Sequence, residues 1–187
     1  MTTLSPNPAL VDQLQSAIRD VVDFPKPGIV FKDITPILSS GPLFRQTIQA
    51  LAQQLQGVSV DAVVGIESRG FLFGAALAYE LGVGFVPIRK PGKLPAKTVS
   101  RQYALEYGTD CIEMHADAVG PGHQVVVVDD LLATGGTATA AVELLQEAGA
   151  TIRAVQFVVD LAFLGGRAPL QQVLPPNTPI QALITYS

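Results

Sequence analysis

The stretch VVVVDDLLATGGT, from Val125 to Thr137, joins an unbroken β-branched run, an acidic pair, a turn of small residues and the start of a helix. Val125 to Val128 has the composition of a strand buried on both faces, as in a parallel sheet covered by helices. Gly135 and Gly136 let the backbone approach an anion closely, Thr134 and Thr137 offer hydroxyl donors, and the free N–H groups of a helix start favour a phosphate. Neither the Walker spacing of Gly and Lys nor the dinucleotide fingerprint Gly-x-Gly-x-x-Gly is present. The pair Asp129–Asp130 adds hydroxyl acceptors beside the anion cradle, a combination suited to a ribose 5-phosphate. A plainer reading remains open, in which the two aspartates only cap a turn.

On both sides of this stretch β and α patterns alternate. The apolar spacing Leu10, Leu14, Ala17, Ile18, Val21 predicts a helix from Pro8 to Val22, and a second helix is predicted from Pro42 to Gln56. Val60 to Ile66 reads as a strand, Gly70 to Leu81 as an apolar helix, and Gly84 to Ile88 as another strand. Downstream, a helix from Thr137 to Ala148 stops at Gly149, and strands are predicted from Ala154 to Val159 and from Ile180 to Ile184. This order predicts an α/β fold with a central, mostly parallel sheet flanked by helices. Arg89 to Ser100 interrupts the pattern with cations among Pro, Gly and small polar residues and reads as a long exposed loop.

With 187 residues the chain suits one domain, 1–187, and its apolar fraction of 48% supplies a substantial core. A net charge of −4 with no basic face argues against a nucleic-acid partner. The polar, proline-punctuated start lacks the features of a secretory signal, so the cytoplasm is the expected location. No membrane association is expected either: the apolar window Gly70 to Ile88 is broken by Gly82, Gly84 and Pro87. Cys111, the only cysteine, reads as a packing residue, while His115 and His123 fit no metal spacing and read as surface residues.

Val125 to Thr137 resembles the phosphoribosyl pyrophosphate motif of the type I phosphoribosyltransferases. Three further stretches resemble the adenine-accepting members of that family: Phe24 to Pro36, Glu67 to Gly74, and Arg89 to Pro95 followed by Leu105-Glu106-Tyr107-Gly108. The resemblance implies the type I phosphoribosyltransferase fold, with a flexible loop over the active site and residues 1–35 forming an N-terminal helix and base-binding segment. It also implies transfer of 5-phosphoribosyl from phosphoribosyl pyrophosphate (PRPP) to adenine, giving AMP and diphosphate. Mg2+, held mainly by substrate and water near Asp129 and Asp130, and a homodimer are implied as well.

On the same resemblance, Ala133, Thr134, Gly135, Gly136 and Thr137 would grip the 5-phosphate, while Asp129 and Asp130 hold the ribose hydroxyls. Glu67, Ser68, Arg69, Gly70, Arg89, Lys90 and Lys93 would serve the pyrophosphate, with a non-proline cis peptide between Glu67 and Ser68. Val30, Phe31, Lys32 and Leu161 would enclose the base, Lys32 standing where several relatives carry Arg. Glu106 would take the proton that the base loses, beside Arg69 as a catalytic cation, and Tyr103 and Tyr107 would position the loop. Read without the resemblance, Arg89, Lys90 and Lys93 suit a solvated loop, Phe31 a core aromatic and Glu106 a surface position. The resemblance also implies adenine over a 6-oxopurine, because the 6-oxopurine members of the family tend to carry a Lys near Val155 to Val159 and this sequence has none there. Two competing readings are a transferase for another base and a ligand-sensing regulator, the latter disfavoured by the lack of a spare domain.

Overall fold

The computed structural model describes residues 7–104 and 109–187. Helix α1 spans Pro8–Ala17; the Asn7 side chain accepts a hydrogen bond from the Ala9 N–H at 3.0 Å and caps it. The predicted extension to Val22 does not form. Arg19–Val22 is instead strand β1, paired antiparallel with β2, Val30–Asp33. The reason is long-range: Arg19 Nη2 lies 2.6 Å from Asp33 Oδ2, and Lys32 Nζ lies 2.6 Å from Asp20 Oδ1. Helical spacing around Val21 carries no trace of those partners.

After β2 come the short helix α2, Thr35–Ser39, and the helix α3, Gly41–Gln53. Strand β3, Ala62–Ile66, leads into α4, Gly70–Leu81, which ends at Gly82 in the left-handed conformation, φ 68°. Strand β4 is Gly84–Ile88. The irregular loop predicted to reach Ser100 stops sooner: β5, Thr98–Ala104, pairs antiparallel with β6, Thr109–His115. Residues far downstream supply the ladder partners that no local pattern announces. Then follow β7, Gln124–Leu132, α5, Gly136–Glu147, β8, Thr151–Leu161, a 3₁₀ turn over Ala162–Leu164, α6, Arg167–Val173, and β9, Ile180–Tyr186.

The main sheet has the order β4-β3-β7-β8-β9, and every pair in it is parallel. One face packs on α1, α3 and α4 through residues such as Leu14, Leu51, Phe73 and Leu77. The other packs on α5, α6 and the β5–β6 hairpin through Ile112, Met114, Leu145 and Leu170. Chain direction across the sheet reverses between β3 and β7, and an open α/β sheet has its natural ligand crevice beyond the carboxyl ends of the strands at such a point. Among the described residues no helix is long and apolar enough to cross a membrane.

Candidate active site

Two turns leave the carboxyl ends of β3 and β7 side by side. The first is Glu67–Gly70, with a cis peptide between Glu67 and Ser68 as the resemblance implied. The second runs from Ala133 to Gly135 into α5, and Asp129 and Asp130 lie just before it in the last residues of β7. Their closeness is set by Gly70: a Cβ there would stand 2.8 Å from Asp129 Oδ1 and 2.9 Å from the Val128 carbonyl oxygen. Only a residue without a side chain lets the first turn press this closely against the end of β7.

Gly135, at φ 83°, precedes the first turn of α5, so the amides of Gly136 and Thr137 occupy helix-start positions that lack intrahelical acceptors. The Thr137 hydroxyl donates to the Tyr103 hydroxyl at 3.1 Å, which joins this cradle to strand β5. Asp130 is buried, and its Oδ2 meets Arg69 Nε at 2.8 Å. Asp129 accepts the Asp130 N–H at 2.8 Å. Burial, reinforced by the neighbouring charge of Asp130, pushes the Asp129 carboxyl well above the usual range.

Glu67 gathers the cations of the next loop. Its Oε1 receives Lys93 Nζ at 2.5 Å, and its Oε2 receives Arg89 Nε at 3.2 Å and the Lys90 N–H at 2.9 Å. Burial opposes ionisation of Glu67, yet these donors hold its carboxyl down at about 2. Lys90 is occupied differently: its ammonium pairs with Asp110 and meets the Tyr103 hydroxyl at 3.1 Å. Asp110 carried no signal in the sequence, because it reaches Lys90 only through the antiparallel bridge of Arg89 with Glu113 on β6.

Phe31, on β2, lies under the Arg69 guanidinium, 5.0 Å from ring centroid to carbon, with Phe24 edge-on at 5.1 Å. Val30 beside it is exposed. The Lys32 ammonium is engaged with Asp20 and lies 4.4 Å over the Tyr186 ring, so its side chain braces the hairpin against β9. Leu161 is buried at the end of β8 in the same apolar cluster that Tyr186 packs on. Glu106 and Tyr107 lie outside the described residues. Among the described residues no group of three or more His, Cys, Asp or Glu side chains could hold a metal ion. His123 is exposed, its Nδ1 accepting the Gly120 N–H at 2.9 Å; contrary to the surface reading, His115 is half-buried with its Nε2 enclosed.

The phosphoribosyl transferase domain model matches residues 37–169. An adenine phosphoribosyltransferase of Bradyrhizobium sp. strain BTAi1 is 52% identical over 173 residues, 92% of this chain and 95% of that protein. One from Roseiflexus castenholzii is 57% identical over 157 residues, 84% of this chain and 91% of the relative. Among solved structures, the Thermoanaerobacter pseudethanolicus adenine phosphoribosyltransferase superposes with a TM-score of 0.89 at 50% identity, covering 94% of this chain and 99% of that one. The Saccharomyces cerevisiae enzyme, solved with an imino-altritol bisphosphate and adenine, gives 0.86 at 42% identity, covering 94% and 98%.

Proposed function

The chain belongs to the phosphoribosyl transferase family, and from that premise we propose that it transfers the 5-phosphoribosyl group of PRPP to adenine, giving AMP and diphosphate in purine salvage. The observation that carries the reading is the contact of Gly70 with Asp129, which sets an anion turn on each side of the point where a ribose would lie.

In this reading Ala133, Thr134, Gly135, Gly136 and Thr137 hold the 5-phosphate, and Asp129 and Asp130 accept the ribose hydroxyls. Breaking the bond from C1 of the ribose to pyrophosphate leaves positive charge on the sugar and negative charge on the departing oxygen, and both need stabilisation. Arg69, tied to Asp130, serves as the cation nearest the sugar, with Ser68 and Gly70 offering turn backbone to the anion. Arg89 and Lys93 face the leaving group, held there by Glu67, whose own carboxylate organises these cations; Lys90 joins them after exchanging Asp110 for the anion. A ring nitrogen of adenine forms the new bond to C1 while another ring nitrogen gives up its proton, for which Glu106 is the proposed base. Phe31 stacks on the purine, Val30 and Lys32 meet it through backbone atoms, and Leu161 covers the far side.

Mg2+ fits this arrangement as a substrate-borne ion. The nearby carboxylates are Asp129 and Asp130, the latter already paired with Arg69, and no third carboxylate completes a protein cage among the described residues. When bound through substrate oxygens and water, the ion would neutralise pyrophosphate charge. The proposal extends to one domain over 1–187, a homodimer and a cytoplasmic location.

The test is pyrophosphate release from PRPP with magnesium, run in parallel with adenine, hypoxanthine, guanine, xanthine and orotate. Release with adenine alone is expected. Release with a different base would overturn the adenine pocket, and binding of PRPP without release on any base would point to a ligand sensor.

A further inference from the structure

The turn after β8 has little apolar burial of its own: Ala162, Phe163, Leu164 and Gly165 are all exposed. Even so, its last residue is pressed into the phosphate loop. A Cβ on Gly166 would stand 2.2 Å from the Ala133 carbonyl oxygen, and a Cβ on Gly135 would stand 2.3 Å from the Gly166 carbonyl oxygen. Two backbones thus touch in both directions, at the residues that form the floor of the anion cradle.

What closes this turn is an ion pair across its ends. Asp160, the residue before Leu161, is fully buried, and its Oδ2 accepts from Arg167 Nε at 2.6 Å. Arg167 Nη1 also donates to the Ile180 carbonyl at 2.8 Å, so one guanidinium ties the end of β8, the start of α6 and the start of β9. The other oxygen of Asp160 meets no donor among the described residues, which leaves Arg167 as the partner of that buried charge. A buried carboxylate with one cationic partner ties the two ends firmly, because losing that partner leaves the charge uncompensated.

We infer that Asp160 and Arg167 are positioning residues: their pair clasps the turn Leu161–Gly166 so that Gly166 sets the shape of the phosphate loop and Leu161 is placed on the base. Neither side chain needs to touch substrate. The inference rests on the reading of Ala133–Thr137 as the 5-phosphate cradle.

Arg167→Met, Arg167→Lys, Asp160→Asn and Gly166→Ala are compared with wild type by steady-state kinetics, by calorimetric binding of ribose 5-phosphate, and by thermal melting. Arg167→Met and Asp160→Asn should raise KM for PRPP and the ribose 5-phosphate Kd about tenfold, with kcat within about threefold, because the fault lies in the shape of the binding loop. Arg167→Lys, which keeps the charge, should recover part of that loss. Gly166→Ala keeps the ion pair but displaces the Ala133 carbonyl, and should reproduce the rise in KM; it and Arg167→Lys decide the matter if Arg167→Met does not fold. Lower melting temperatures with unchanged KM and Kd would overturn the clasp while leaving the cradle intact. Failure of wild type to bind ribose 5-phosphate would overturn the cradle itself, and the clasp with it.

Discussion

Arg69 Nε stands 2.8 Å from Asp130 Oδ2 while its guanidinium carbon lies 5.0 Å from the centre of the Phe31 ring, so one cation links the ribose side of the site to the base side. Arg69 belongs to the turn after β3, Asp130 to the end of β7 and Phe31 to β2. Removing the cation therefore acts at three places at once. Arg69→Met is expected to lower kcat/KM by about 100-fold, the scale of losing one preorganised charge-stabilising donor. Because Arg69 and Asp130 act as a pair, Arg69→Met and Asp130→Asn should be non-additive, with a coupling of about 0.5–3 kcal/mol in a double-mutant cycle. Additive effects would reject the pairing as functional.

Glu67 makes the acid stability of the site measurable. Its folded carboxyl sits at about 2 against an ordinary 4.5, so its contribution to stability is fully present above 4.5 and is lost as pH falls toward 2. Urea denaturation should show Glu67→Gln less stable than wild type at neutral pH, with the gap closing as pH drops through that window. A gap independent of pH would mean that the Lys93 and Arg89 contacts do not stabilise the ionised form.

Asp129 predicts a trade between stability and binding. Its folded pKa is raised, so proton binding favours the fold at low pH and that advantage disappears as pH rises through the folded value. At pH 7 Asp129→Asn should thus unfold at higher denaturant, by on the order of 1 kcal/mol. The same change should weaken ribose 5-phosphate binding, since an amide replaces one hydroxyl acceptor by a donor. Calorimetry beside a urea titration checks both halves, and a variant that binds normally removes Asp129 from the ribose site.

Phe31 offers a test confined to the base. Phe31→Ala should raise KM for adenine about tenfold by removing the stacking face, with KM for PRPP little changed. Equal rises in both would assign the ring to bracing Arg69 instead of holding the purine.

Much of the site is legible in the sequence, because the phosphate loop is a local object. A β-branched run, an acidic pair, two glycines and a helix start occur in consecutive order, and backbone geometry alone makes that a strand, a turn and a row of free amides. The turn at Glu67–Gly70 was legible for the same reason, since it lies between a strand and an apolar helix. The central strands of the main sheet also emerged from apolar composition, with boundaries shifted by a few residues.

The parts that escaped the sequence depend on partners distant along the chain. Helical spacing hid β1, whose strand conformation rests on cross-strand pairs with Lys32 and Asp33. Loop composition hid the start of β5, which needs His115 and Met114 opposite Thr98 and Val99. Lys90 was readable as a cation, but its attachment to Asp110 follows from the bridge of Arg89 with Glu113 on β6.

The order of the main elements is written in the chain, since backbone propensity and apolar periodicity act over a few residues, and the family is legible through the resemblance of its consecutive motifs. Tertiary structure alone decided that Gly70 touches Asp129, that Glu67 collects Arg89 and Lys93, and that Arg167 reaches back to Asp160. Electrostatics and close packing act through space, and the sheet order β4-β3-β7-β8-β9 brings those residues within range.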